Sequence, residues 1–217
     1  ETAVRGVARD LAAGDEESVA VSLLFSFEND AHERRVAEIL AEEAPDLSVS
    51  CSSDVLPEIR EYERTLATSI NAALKPVMDR YVGELERGIA DAGVEADLKI
   101  MQSNGGIITA SAAQDRPVDT LLSGPAAGVQ GAAHVADRAG LEDIVTMDMG
   151  GTSCDVSLVR GGDPVISTER SIGDYPVSVP MVDVHTIGAG GGSIAWVDKG
   201  DVLRVGPRSA GADPGPI

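Results

Sequence analysis

The 217 residues carry 36 acidic against 17 basic side chains, a formal net charge of −19, and only Lys75, Lys99 and Lys199 among the basic ones are lysine. That balance argues against nucleic acid as a partner, and no apolar run is long enough to cross a bilayer as a helix. A self-repelling surface is tolerable where salt screens it, since the Debye length falls to about 3 Å at 1 M; the composition therefore suggests a halophilic source, with a merely acidic mesophilic protein as the alternative. Cys51 and Cys154 lie far apart in different predicted elements, which suits reduced thiols in a cytoplasm better than a structural bridge. A start at Glu1 and a stop within a Gly/Pro-rich stretch read as a piece of a longer protein.

From the amino end, Thr2–Ala13 has helical spacing and stops at Gly14, a position suited to a left-handed cap. Val19–Phe27 is almost continuously apolar, which predicts a parallel strand buried on both faces. Asn29 or Asp30 can cap the next helix, which carries Val36, Ile39 and Leu40 on one side and ends at Pro45. Leu47, Val49 and Cys51 then alternate as a second strand, completing a right-handed strand-helix-strand unit. From Pro57 onward Ile59, Tyr62, Leu66, Ile70, Leu74, Val77, Tyr81, Leu85 and Ile89 recur at helical spacing, predicting one apolar, core-facing stripe. Pro76 should kink or split that helix. Leu98–Gln102 predicts a third strand running into Ser103-Asn104-Gly105-Gly106, which is either a plain turn or the wall of a site at a strand's carboxyl end.

Leu121–Gly140 predicts a helix capped by Ser123 or Gly124, with Pro125 in the first helical position and Gly140 ending it. Each internal glycine costs about 1 kcal/mol relative to alanine, so Gly124, Gly128 and Gly131 call for close packing against another backbone. Next, Ile144–Met149 and Cys154–Val159 read as two strands joined by Gly150-Gly151-Thr152-Ser153, a tight hairpin. Glycines without Cβ let backbone amides approach an oxyanion, and Thr152 adds a hydroxyl donor. Asp148 and Asp155 flank the bend. A carboxylate beside a phosphate is repelled unless a cation lies between them or a water must be oriented, so the pattern predicts magnesium with a nucleotide; the competing reading is an ordinary hairpin with Gly-Gly chosen for its turn geometry. Cys154 reads as a small buried hydrophobe.

Gly161-Gly162-Asp163 turns the chain, and Pro164–Ile172 predicts a third antiparallel strand. Val177–Ser193 leads from a strand into glycines 188, 190, 191 and 192. Asp183 and His185 are two apart and share a side if extended, suited either to substrate or metal contact or to bracing the glycine loop. Ser193–Gly206 predicts a hairpin turning at Lys199-Gly200, with Trp196 in the core, and the tail from Gly206 has turn chemistry throughout.

The order small-residue helix, strand, Asp-x-Gly-Gly-Thr turn, strand resembles the actin-like (ribonuclease H-like) ATPase superfamily, an α/β fold. DMGGTSCD matches its second phosphate-binding segment and GPAAGVQGAAHVA its connecting helix. More narrowly, SLLFSFENDAHERR, VLPEIREYERT, IMQSNGG, LLSGPAAGV, MDMGGTSCDVSLV, VDVHTIGAGGGSIAWVD and GPRSAGADPGP together resemble the hydantoinase A / 5-oxoprolinase family. The resemblance implies that residues 1–140, including the connecting helix 125–139, end the first lobe, and that 141–217 begin the second. It implies ATP-dependent opening of a cyclic amide such as a hydantoin or 5-oxoproline, a hydantoinase B type partner and an oligomeric full-length protein. On that reading Gly150, Gly151, Thr152 and Ser153, with Gly190 and Gly191, hold the nucleotide. Asp148 orients magnesium or its water, Asp155 supports the turn or the metal, and Asp183 and His185 face the substrate or a second divalent metal. The family's first phosphate turn and its adenosine-binding part have no counterpart in this sequence, so this piece alone should bind ATP weakly and turn over little. The ATP-using subunit of a ketone carboxylase has closely similar motifs, and a non-catalytic nucleotide-sensing module is the reading from another functional class.

Overall fold

The computed structural model describes residues 1–168, 170–213, 215 and 216. Contacts divide the chain into two units: Glu1–Gln102, Gly106–Leu121 and Thr168–Pro180 form the first, and Ser103–Gly105, Leu122–Ser167 and Met181–Ile217 the second. The architecture is α/β. Among the described residues no helix is long and apolar enough to cross a membrane.

In the first unit, α1 (Thr2–Ala12), β1 (Ser18–Val21), α2 (Ala31–Glu43) and β2 (Ser48–Cys51) realise the predicted strand-helix-strand pattern. The two strands pair in parallel from Ser18↔Ser48 to Val21↔Cys51, over a core of Ala8, Val21, Leu40 and Cys51. Burial of the Cys51 thiol, with the Glu33 carboxylate as a lesser cause, pushes it up to about 11.

The predicted strand over 19–27 stops at Val21, for an identifiable reason. Leu23 gives its N–H to Glu33 Oε1 (2.8 Å) and its carbonyl accepts from Arg64 Nη2 (2.7 Å), so side chains occupy the groups a ladder would need. Phe25 then adopts a left-handed φ of 59°, and Leu24 and Phe25 end up exposed. Glu33 is completely buried. Burial alone would raise its carboxyl, but donors on Ser52 Oγ, Ser53 N and Leu23 N outweigh that and hold it below its ordinary value.

After the single turn α3 (Ser52–Val55), α4 (Glu61–Asp91) runs through Pro76 without splitting. Its buried side is not the predicted stripe: Arg64, Ala67, Thr68, Asn71, Ala72 and Val82 are buried, whereas Tyr62, Val77 and Tyr81 are exposed, as is Ile59 just ahead of the helix. Small and hydrogen-bonding residues prevail there because the helix bonds polar groups beneath it: Asn71 donates to Ser50 Oγ and the Asp115 carbonyl and accepts from Val118 N. The unit continues through the hairpin strands β3 (Lys99–Met101) and β4 (Ile107–Thr109) and α5 (Ala110–Asp115). Gly105, at φ 84°, makes Ser103–Gly106 the turn of that hairpin.

The second unit begins with α6 (Ser123–Arg138), capped by Leu122 in a left-handed conformation rather than by Ser123 or Gly124. Pro125 is therefore the third helical residue, still in the first turn where its missing N–H costs no helical bond. A methyl on Gly124, Gly128 or Gly131 would meet nothing within 4 Å, so among the described residues no close backbone crossing explains these glycines. The hairpin follows as predicted: β5 (Ile144–Met149) and β6 (Cys154–Arg160) pair antiparallel from Ile144↔Val159 to Met149↔Cys154. The expected strand over 164–172 is instead divided among β7 (Asp163–Pro164), β8 (Ile166–Ser167) and β9 (Arg170–Ile172), with Glu169 outside the described residues.

β9 pairs with β10 (Tyr175–Val177) in the first unit, and β8 with β11 (Met181–Val182) in the second. β12 (Val184–Ile187) then joins the other edge of β6, giving the order β12-β6-β5. One face of this sheet packs on α6 through Ala126, Val129, Ala133, Val159 and Val184. β13 (Ser193–Val197) and β14 (Leu203–Ser209) form the last hairpin. Trp196 in it is half-buried rather than core, with the Arg208 guanidinium 4.9 Å from its ring centre.

Candidate functional site

The hairpin bend is closed by Gly150 N donating to Ser153 O at 3.0 Å. Because Asp148 lies directly opposite Asp155 in the ladder, both carboxylates stand on the same sheet face. Two like charges so placed repel and destabilise the pair, a cost that a bound cation would reverse. Thr146, Ser157 and Val184 share that face by register. It is the face toward α6, and between them lies a cleft of ≈ 250 Å³ bordered by Gly128, Val129, Asp148, Asp155 and Ser157. Gly128, whose Cβ would find open space, keeps that cleft free of a side chain. Asp155 is half-buried and accepts from Thr186 Oγ1 at 2.6 Å; Asp148 is exposed.

On its other side the bend rests against the glycine loop. Gly191 N donates to Gly150 O (2.9 Å) and Gly192 N to Gly151 O (2.8 Å). The approach is so close that a Cβ on Gly190 would lie 2.5 Å from Gly150 O and 2.7 Å from Thr152 N. Among the described residues the N–H groups of Gly151 and Thr152 make no hydrogen bond. A second hollow of ≈ 520 Å³ opens here, bordered by Gly150, Gly151, Thr152, Gly191, Ser209 and Gly211. The bend thus offers unbonded amides and a hydroxyl beside a carboxylate pair, a combination that can take a phosphate and its cation together.

The structure brings Asp148, Asp155, Gly150, Gly151, Thr152 and Ser153 into one hairpin end and sets Gly190 and Gly191 against it. The two loop glycines act differently from the expectation. Gly190 N donates to Ser193 Oγ (2.9 Å) within the loop and Gly191 N to Gly150 O on the bend, so neither amide is available to a phosphate.

Asp183 and His185 do not join the acidic pair. His185 is opposite Val156, on the face away from α6, and extended alternation puts Asp183 on that same side. The three-residue metal set Asp148, Asp183 and His185 is therefore not assembled. Among the described residues no group of three or more His, Cys, Asp or Glu side chains could hold a metal ion. An oxygen-only pair fits magnesium instead, which takes one or two carboxylates and completes its shell with water and phosphate oxygens. Thr186 follows His185 directly and so alternates onto the opposite face from Asp183 and His185; only the register of β12 on β6 places it beside Asp155.

The chain matches the family described as Hydantoinase/oxoprolinase over residues 64–217, and that family's N-terminal region over residues 1–44. The caprolactamase subunit alpha of Pseudomonas jessenii is 41% identical over 93% of this chain, which spans 29% of that protein. The 5-oxoprolinase of Saccharomyces cerevisiae is 36% identical over 100% of this chain, which spans 16% of it. Among solved structures, the ATP-dependent caprolactamase from Pseudomonas jessenii superimposes with a TM-score of 0.89 at 39% identity, over 99% of this chain and 31% of that one. The nucleotide-free acetone carboxylase gives 0.76 at 33% identity, over 97% and 30%.

Proposed function

Because the chain belongs to the hydantoinase/oxoprolinase family, we propose that its second unit holds the phosphate end of a magnesium–ATP site in an enzyme that opens cyclic amides at the expense of ATP. The observation that carries this reading is the in-register pair Asp148 and Asp155 at the mouth of a glycine bend whose Gly151 and Thr152 amides are unbonded. The two-unit α/β chain is read as the end of one lobe and the start of the next in an actin-like ATPase, with α6 as the connecting helix.

Asp148 and Asp155 would hold magnesium, which when bound would supply neutralisation of phosphate charge. The chain's own residues do the rest. Gly151 N and Thr152, through N–H and Oγ1, donate to phosphate oxygens; Asp148 and Asp155 orient the water shell; the glycine loop fixes the bend; Gly128 leaves space. A lactam carbonyl is a poor electrophile. Transfer of the γ-phosphoryl group to its oxygen breaks the β–γ phosphoanhydride bond, releases ADP and makes the carbon attackable by water; the C–N bond then opens, the nitrogen taking a proton, to leave an acyl phosphate that a second water hydrolyses to the carboxylate and inorganic phosphate. A hydantoinase B type subunit or domain would complete the assembly.

The test is ATP consumption by the full-length protein with its partner, across a hydantoin, 5-oxoproline and a larger lactam. Cyclic-amide-dependent ADP release that is lost in Asp148→Asn is expected. The likeness to acetone carboxylase favours a second reading, phosphorylation of a carbonyl substrate for carboxylation. ATP consumption that requires bicarbonate and a ketone, with no response to any cyclic amide, would establish it in place of the first.

A further inference from the structure

Asp148 and Asp155 are equivalent in the ladder but not in their surroundings. Asp148 is exposed, and its side chain makes no hydrogen bond among the described residues. Asp155 is half-buried and receives Thr186 Oγ1 on Oδ1 at 2.6 Å, within the range of a short charge-assisted bond. Thr186 is set by its strand: β12 pairs with β6 so that Thr186 faces Asp155 and Val184 faces Ser157. Ser157 Oγ in turn donates to the Asp183 carbonyl at 2.7 Å, tying β6 to the start of β12. A β-branched residue on a strand has few χ1 choices, so the hydroxyl stays aimed at the carboxylate.

We infer that Thr186 is a positioning residue: it holds Asp155 in one rotamer with a single oxygen engaged, leaving the other for the magnesium–phosphate shell, while Asp148 adjusts. The inference rests on the proposed nucleotide site and deepens it. A bond of this kind holds two negatively charged groups side by side without letting one swing away. Its loss should weaken the divalent-ion complex about tenfold, the effect of one charge-assisted hydrogen bond.

The test compares Thr186→Val, which keeps the shape and removes the donor, with Thr186→Ser, which keeps the donor. The 217-residue chain is titrated calorimetrically with the preformed Mn²⁺–triphosphate complex, and three-bond couplings report the Asp155 χ1 rotamer without any ligand. Expected are about tenfold weaker Mn²⁺–triphosphate binding and rotamer averaging in Thr186→Val, against near-wild-type affinity and a single rotamer in Thr186→Ser. A single Asp155 rotamer in Thr186→Val, or equal weakening in both variants, overturns the inference. Absence of any Mn²⁺–triphosphate binding to the wild-type chain would instead overturn the nucleotide reading, and the rotamer comparison would still decide whether Thr186 positions Asp155.

Discussion

Replacing Gly190 by alanine places a methyl group 2.5 Å from Gly150 O, 2.7 Å from Thr152 N and 2.8 Å from the Gly151 carbonyl carbon, all below the 3.0 Å that Cβ atoms tolerate. Every one of these neighbours is backbone, so no side chain can rotate away. Either the bend shifts by roughly 1 Å, or the loop recoils and gives up its bonds from Gly191 N and Gly192 N; overpacking of this sort costs about 1–3 kcal/mol. A phosphate gripped by amides at 2.7–3.2 Å does not survive such a displacement, and each lost bond to a charged oxygen is worth about 1.5–3 kcal/mol. The expected outcome is triphosphate binding weakened tenfold to several hundredfold. Gly191→Ala is the control, since its Cβ would sit at an ordinary 3.7 Å from Gly150 O. Calorimetric titration with magnesium triphosphate, alongside thermal melting to confirm folding, measures both. Equal affinities in the two variants would refute the view that the glycine loop sets the geometry of the bend.

Four further outcomes are expected. Gly128→Leu, at a position where an added Cβ meets nothing within 4 Å and which borders the cleft beside Asp148 and Asp155, should fill that cleft and weaken magnesium–triphosphate binding at least tenfold, with thermal melting as the check on folding; unchanged binding by calorimetry would remove the cleft from the site. Glu33→Ala orphans the donors on Leu23 N and Ser53 N, each at about 1–3 kcal/mol, while Ser52 Oγ keeps Ser26 Oγ at 2.9 Å, so urea unfolding should show a loss of about 2 kcal/mol or more. Bonds from Arg9 and then Arg5 hold the Glu43 carboxyl down to about 2 from 4.5. Its folded value lies below its unfolded one, so the stabilisation is full above about pH 4.5 and fades toward pH 2; protection of α1 amides should fall across that window, and in Glu43→Gln the fall should be absent. The Cys51 thiol, pushed up to about 11, should resist alkylation at pH 8 in the folded chain and react once it is unfolded.

The local chemistry of the site was legible because it depends on short-range pattern. Two apolar runs around Gly150-Gly151 define a hairpin, and a hairpin's register follows from its turn, which places Asp148 opposite Asp155. What a third strand contributes was not legible, since the register of β12 on β6 is a long-range choice. A one-residue difference of face puts Thr186 beside Asp155 and His185 on the other side. The same limit explains α4, where helical spacing of Tyr62, Val77 and Tyr81 pointed to a core face while the buried side is occupied by Arg64 and Asn71, which bond groups on other segments, and by Thr68, whose hydroxyl bonds its own helix. It also explains the early end of β1, which depends on Glu33 and Arg64 capturing Leu23 from distant positions.

Titration of the labelled chain with triphosphate, with and without Mg²⁺, followed through its amide and carboxylate resonances, locates the phosphate directly. Magnesium-dependent shifts are expected to centre on Gly151, Thr152, Asp148 and Asp155, to vanish in Asp148→Asn and to spare Asp183 and His185. Shifts centred on the His185 face, or none at the hairpin bend at saturating ligand, would rule out a phosphate site at this bend.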